Sequence, residues 1–238
     1  MPAWNASRHI RDAIGSILAQ RAAARFDIVV VDDGSTDTTR EIVEEISRSV
    51  PEVRLIGQAH KGAPSARNAA LDAVASDTDI VTFLDSDDLS PRGRFDRDLR
   101  TFADDEAVDV HWGMTLGFTD DDSEGPAPER RGSPERRSQL GAVMIKPAAL
   151  RAIGRFDETL PTGEDVDFLL RMLETQPRLA LTADLVILYR RHLTNMTRDT
   201  RLVRSALTRV YLSAAYRRRH GAPAVPPGIF LPPERPPK

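Results

Sequence analysis

The chain has 238 residues, a formal net charge of −3 and a sequence pI of about 6.0. That length allows one large α/β domain or two small ones with a real core, and the mild acidity excludes a global basic field that would recruit nucleic acid or anionic lipid. Cysteine is absent, so disulfides, thiolate metal sites and cysteine nucleophiles are excluded too.

In chain order, SRHIRDAIGSILAQ places Ile10, Ile14, Ile17 and Leu18 on one helical face, with Ser7 as N-cap. FDIVVVDDGSTDTT follows, and its β-branched run at 28–31 has the uninterrupted apolar character of a strand buried on both faces. The run stops at Asp32; Gly34 permits a tight turn, and Asp37 or Thr38, with Glu41, caps a helix carrying Ile42, Val43 and Ile46. A short strand at 53–56, a helix at about 63–74 and a strand at 79–84 continue the alternation. Strands alternating with helices over short connections predict a parallel sheet with helices on both faces, which binds ligands beyond the carboxyl ends of its strands.

Two acidic clusters fall on that edge: Asp32 with Asp33, and Asp85, Asp87 and Asp88 in FLDSDDLSP. Carboxylates within about 4–6 Å raise one another's pKa unless a cation or strong donors compensate. Aspartate also suits turns and helix N-caps, but two clusters on one rim weigh against turns alone. Asp88 is read as capping the following turn, with direct function as the alternative.

A helix at about 92–103 and a strand at 108–118 come next, then the polar, Gly- and Pro-rich segment 119–139, expected to be a mobile loop that is either a substrate lid or a surface excursion. GAVMIKP resumes strand character. GEDVDFLLRMLE opens a helix with Glu164, Asp165 and Asp167 in its first turn, where the helix dipole favours carboxylates in any case. A strand at 185–189 leads through RRHLTNMT into an amphipathic helix at about 198–219, and the Pro-rich tail 221–238 is expected to be extended or disordered. No run approaches the roughly 18 apolar residues of a membrane span, and MPAWNASRHIRD has no apolar signal core. The chain therefore reads as cytoplasmic, with peripheral association to the inner face of the membrane left open.

Taken in order, PAWNASRHIRDAIGSILAQ, FDIVVVDDGSTDTT, GAPSARNAAL, VTFLDSDDLSP, GEDVDFLLRM and YRRHLTNMT resemble the successive motifs of family 2 glycosyltransferases, over most of residues 2–197. The resemblance implies the GT-A fold, a Rossmann-like, mostly parallel sheet flanked by helices. It also implies one domain over 1–220, with a nucleotide-binding half at about 1–105, an acceptor half at 106–197, a C-terminal helix at 198–220 and a tail at 221–238. The implied reaction is metal-dependent transfer of a sugar, with inversion, from a nucleotide-diphosphate donor to an acceptor hydroxyl. By position in the motifs, Asp87 ligates the metal and Asp85 contacts the ribose or the metal's surroundings; hard carboxylates suit Mn²⁺ or Mg²⁺. Asp33, with Asp32, accepts a hydrogen bond from the base, which favours a UDP-sugar; Arg67 approaches the nucleotide, and Pro2, Trp4 and Ser86 join the same pocket. Asp165 matches the general base. His192 is either a further metal ligand or a polar residue closing a strand end. His9, His60, His111 and His220 have no motif context and read as structural or surface residues. The partners implied are a nucleotide-sugar donor and a glycan, lipid-linked or protein acceptor; no nucleic acid and no integral membrane segment are expected.

One departure stands out. Family members begin with an apolar strand immediately before the segment matching PAWNAS, and here Met1 directly precedes Pro2. The usual first strand is therefore expected to be largely missing, leaving neighbours with backbone orphans at about 1–3 kcal/mol each when buried. A misassigned start codon is the favoured explanation, over truncation or replacement by another segment. The competing functional reading is a non-catalytic nucleotide-sugar-binding protein that lost turnover with that strand. A haloacid-dehalogenase-type phosphatase is disfavoured because Leu89 stands where its motif has Thr or Val, and a calcium loop lacks Gly at its sixth and Glu at its twelfth position after Asp85.

Overall fold

The computed structural model describes residues 1–119, 129–191 and 200–225. Its first half alternates as expected: β1 (Pro2–Ala3), α1 (Ile10–Leu18), β2 (Ile28–Asp32), α2 (Thr39–Ser49), β3 (Val53–Gly57), α3 (Ala63–Asp72), β4 (Val81–Thr82) and α4 (Arg94–Asp104). β1, β2 and β3 pair in parallel, with Ala3 opposite Asp32 and Asp32 opposite Gly57. Val30 and Val31 on β2 are fully buried, as are Ile10, Ala13 and Ile14 on α1 and Val43 on α2. The apolar run of β2 thus lies among the helices, and β1, β2 and β3 run in parallel to one edge.

α1 begins later than the Ser7 cap predicts. Asn5, at φ 49°, bends the chain over residues 35–39, where its Oδ1 accepts the Thr36 N–H at 2.8 Å. Ala6 and Ser7 then donate their N–H groups to Thr39 Oγ1 and Asp37 Oδ2 at 2.7 and 3.1 Å. Donors satisfied across the neighbouring turn need no helix cap.

β1 is two residues long and lies at the end of its sheet, beside β2. The Val31 N–H donates to Met1 O at 2.9 Å, the Asp33 N–H to Ala3 O at 2.8 Å, and the Met1 ammonium to Val29 O at 2.8 Å. Beside Met1 lies a cavity of about 90 Å³ lined by Ile17, Phe26, Val29, Phe83 and Phe95, among others. The strands form two sheets: β1-β2-β3 and, with β5 (Val110–Thr119), β6 (Glu129–Glu135), β7 (Val143–Ile145) and β8 (Leu179–Arg190), the order β4-β7-β5-β6 with β8 on β5. Among the described residues β4 pairs along one edge only, antiparallel to β7, which is why the strand expected at 79–84 shrinks to two residues.

The second half comprises β5 (Val110–Thr119), β6 (Glu129–Glu135), β7 (Val143–Ile145), α5 (Pro147–Ile153), α6 (Glu164–Glu174), β8 (Leu179–Arg190) and α7 (Thr200–Arg219). β5 is antiparallel to β6 and β7 and parallel to β8. The polar segment expected to be loop thus contains a strand at 129–135; its Arg, Gly, Pro and Glu are tolerated on an edge strand and leave no hydrophobic alternation to read. Residues 120–128 lie outside the described residues, as does 226–238, most of the Pro-rich tail. α7 packs on α6 through Val210 and Ala214 against Leu160 and Leu170.

Candidate active site

Arg67, on α3, is 5% exposed and stands at the carboxyl edge of the parallel strands. Its Nη2 donates to Asp85 Oδ1 at 2.8 Å and its Nη1 to Glu164 Oε1. One guanidinium therefore ties the loop after β4 to the first turn of α6. Its Cζ lies 5.7 Å from the centroid of the Phe156 ring. Burial alone would lower its pKa, but Asp85, Glu164 and Asp165 around it hold the proton more tightly than in water. Beside it, Asn68 secures α3 to the chain after α5, donating to Phe156 O at 3.0 Å and accepting the Phe156 N–H at 2.9 Å.

Asp165 sits in the same turn of α6, partly buried, and accepts the Val166 N–H at 2.8 Å. Burial and the adjacent Glu164 push its pKa up to about 7, against the opposing pull of Arg67. A carboxyl poised near neutrality can both take up and release a proton at physiological pH, the property a general base needs.

In the loop after β4, Asp88 is 1% exposed. It does not cap the following turn: its Oδ1 accepts the Arg190 N–H at 2.9 Å and its Oδ2 accepts from Gln139 Nε2 at 2.7 Å. Leu89 and Leu188 exchange backbone hydrogen bonds, and Arg190 Nε donates to Asp87 O at 2.6 Å. Asp88 is thus the anchor of the loop on β8, and burial beside Asp87 and Asp85 drives its pKa well above the carboxylate range. With Asp88 turned inward, Asp85, Ser86 and Asp87 stay partly exposed at the edge.

The other acidic pair is more committed. Asp33 is 2% exposed; its Oδ1 accepts from Gln58 Nε2 (2.7 Å) and the Lys61 N–H (2.9 Å), while Oδ2 accepts the Gly62 N–H (2.8 Å) and faces His60 Nδ1 at 2.9 Å. A carboxylate has about four acceptor sites, and these four contacts fill them. Asp33 organises residues 58–62, and a base N–H would have to replace Gln58 or His60. Asp32, equally buried, accepts the Ser35 N–H at 3.2 Å. Directly after them Gly34 has φ 72°, and a Cβ there would lie 2.9 Å from His60 N, so glycine is required by both conformation and space. Pro2 is buried in β1, while Trp4 is 53% exposed and stacks on His60 with ring centroids 4.6 Å apart.

His60 has no motif in the sequence, and Glu164 reads there as a carboxylate placed by the helix dipole. A buried Arg67 demanding carboxylate partners was the one available signal for Glu164. His192 lies outside the described residues. Among the described residues no three His, Asp or Glu side chains are placed to hold a cation by themselves. Asp85 and Asp87 supply hard oxygens on one loop, a sparse set that fits a cation completed by phosphate oxygens.

The fold defines the class. S. aureus TarS residues 1–349, solved with UDP-GlcNAc, superposes with a TM-score of 0.68 at 22% identity, covering 83% of this chain and 59% of that one. The mannosyltransferase PcManGT from Pyrobaculum calidifontis, solved with GDP-Man and Mn²⁺, gives 0.69 at 18% identity, covering 95% and 64%. This is a GT-A domain, as the sequence motifs implied. The profile described as Glycosyl transferase family 2 matches residues 1–157, and the chain belongs to that family. Among curated relatives, an uncharacterised glycosyltransferase from Nostoc sp. is 34% identical over 108 residues, 45% of this chain and 33% of that protein. The chain spans less than half the length of the curated relatives it matches.

Proposed function

We propose that this chain is an inverting glycosyltransferase that moves a sugar from a nucleotide-diphosphate donor, with a UDP-sugar favoured, to an acceptor hydroxyl, using Mn²⁺ or Mg²⁺. The observation that carries the reading is the convergence on Arg67: one buried guanidinium gathers Asp85 and Glu164 with Asp165 in the same turn. Asp165 is the general base, taking the acceptor's proton as its oxygen attacks. Asp85 and Asp87, with His192 as a further candidate, would hold the cation, which when bound offsets charge on the leaving diphosphate. Glu164 and Asn68 keep Arg67 aimed at the edge. The Trp4 and His60 pair offers a stacking shelf for the base next to Asp33, with Asp32, Pro2 and Ser86 around it. The choice of uridine rests on the likeness of Asp33 to the family's base-binding carboxylate, alongside one structural neighbour solved with UDP-GlcNAc and one with GDP-Man.

In this reading residues 1–105 form the donor half and 106–197 the acceptor half; the acceptor is a glycan, a lipid-linked intermediate or a protein. A cytoplasmic site of action, peripheral to the inner face of the membrane, belongs to the same proposal. Two facts support a peripheral role: no helix among the described residues is long and apolar enough to cross a membrane, and α7 carries six arginines, no acidic residue and exposed Tyr211, Leu212 and Tyr216.

Thermal-shift screening of nucleotide sugars with and without Mn²⁺, followed by donor hydrolysis and transfer assays, tests the function. The expected result is cation-dependent stabilisation by one donor class and turnover that Asp165→Asn removes without loss of binding. Binding with no turnover by the wild type would establish the non-catalytic alternative; no nucleotide-sugar binding at all would overturn both.

A further inference from the structure

The loop after β4 is gripped from both halves of the molecule. Arg67 of α3 holds the Asp85 side chain at 2.8 Å. From the other side comes Arg190, the last residue of β8 and 3% exposed. Its Nε donates to Asp87 O at 2.6 Å, and its own N–H donates to Asp88 Oδ1 at 2.9 Å. Its Cζ lies 4.7 Å from the centroid of the Phe118 ring on β5, and the backbone exchange between Leu89 and Leu188 ties the same strand end to the loop. Nη2 comes within 3.9 Å of Asp12 on α1, an exposed carboxylate whose pull is largely screened.

These contacts fix one peptide group in particular. The carbonyl between Asp87 and Asp88 accepts from Arg190 Nε, while the N–H of the same group donates to Asp85 O at 3.2 Å. A planar unit held at both edges is not free to rotate, and the Cα–Cβ bond of Asp87 is aimed with it. The guanidinium is held in turn by burial and by the face of Phe118. The ends of the loop are thus tied to α3 and β8, and Arg190 is the side chain that reaches the backbone of Asp87 itself.

We propose that Arg190 is a positioning residue for the cation: by holding the 87–88 peptide it sets the direction from which the Asp87 carboxylate meets a nucleotide-bound Mn²⁺ or Mg²⁺. The inference rests on the reading of Asp87 as a cation ligand and adds a residue to it. No three His, Asp or Glu side chains among the described residues cage an ion, and Mg²⁺ demands near-octahedral geometry, so each protein oxygen has to arrive from the right direction. Charge works the other way. An arginine is always protonated, and its positive charge beside the site repels a cation. If that repulsion were its whole effect, removing it would strengthen cation binding. Positioning and repulsion therefore predict opposite signs.

The test is isothermal titration of the full chain with Mn²⁺ in the presence of UDP, and with UDP in the absence of metal, for the wild type, Arg190→Met and Arg190→Lys. Gly113→Ala, which crowds Val186 elsewhere on the β5–β8 pair, is the control for lost stability, and circular dichroism checks that each variant folds. Arg190→Met is expected to weaken Mn²⁺ binding about 10- to 100-fold and to leave metal-free UDP binding unchanged; Arg190→Lys, which keeps one donor for Asp87 O, is expected to recover part of the loss. Should Arg190→Met not fold, Arg190→Lys carries the test alone, because positioning predicts weaker Mn²⁺ binding where conserved charge predicts none. Mn²⁺ binding unchanged or tighter in the folded variant, a matching loss of metal-free UDP binding, or equal weakening in Gly113→Ala overturns the inference and leaves the cation reading in place. Absence of Mn²⁺ binding by the wild type with UDP overturns that reading and this inference together.

Discussion

Arg67 is held by opposing charges that its removal would expose. With Ala at 67, Glu164 stays buried opposite Asp85 without a cation, and breaking a buried pair in this way costs about 3–5 kcal/mol. Denaturant unfolding of Arg67→Ala is expected to show a loss in that range, and Arg67→Lys is expected to recover only part of it, because an ammonium cannot span both carboxylates as a fork does. Asp165 carries the opposite tension. Its folded pKa of about 7 lies above the ordinary carboxylate value, so its contribution to stability is present at low pH and is lost as pH rises towards 7. Asp165→Asn is therefore expected to unfold less readily than the wild type at pH 8, by on the order of 1–4 kcal/mol, while transfer falls about 10²- to 10⁴-fold. In the wild type, turnover is expected to rise with pH through about 7 as this carboxyl ionises. A pH-independent rate across that window would remove Asp165 from the role of base. Residue types at the edge were readable from the motifs, since DxD and GED name their own carboxylates. The duties of Asp88, His60 and Glu164 were not, because each depends on a partner far along the chain.

Two elements depart most from the pattern in the sequence, β1 and β6, and both lack side-chain periodicity. β1 is two residues long and is preceded by Met1, whose amino group burial pushes down to a pKa of about 5. A base with a depressed folded pKa contributes stability above its unfolded value, and that contribution is lost as pH falls through 5. A variant with four β-branched residues placed ahead of Met1 is expected to melt higher at pH 6 than the chain itself, because the interior no longer holds an amine that burial keeps unprotonated below its ordinary pKa, and the neighbouring cavity of about 90 Å³ is filled. An unchanged melting temperature would show that the slot between β2 and β4 accepts no strand. At the β5–β8 pair the register shifts around Gly113, and a Cβ there would lie 2.4 Å from Val186 Cγ1 and 2.8 Å from Asp184 O. Gly113→Ala is expected to cost about 1–3 kcal/mol by overpacking, measured as a lowered unfolding midpoint. Helices α1, α2 and α6 were legible because their apolar spacing is local; the strand in the polar segment 129–135 was not, because its stability comes from pairing with β5.

For the molecule as a whole, the two halves share one edge but no self-sufficient cation cage among the described residues. Mn²⁺ is accordingly expected to bind weakly to the chain alone and markedly more tightly in the presence of a nucleoside diphosphate, which isothermal titration with and without UDP would measure. Equal affinity in both conditions would mean that the protein supplies the full ligand set. The order of strands and helices, the GT-A class and the acidic character of the edge were determined by the sequence itself, since each is written in residues a few positions apart whose periodicity and strand-end chemistry act locally. Which carboxylate grips Arg67 and which one anchors its loop were decided only in three dimensions. Arg67 and Glu164 are 97 positions apart and Asp88 and Arg190 are 102, and such pairs form only when packing has brought distant elements to the same edge and removed the water that would otherwise have served them.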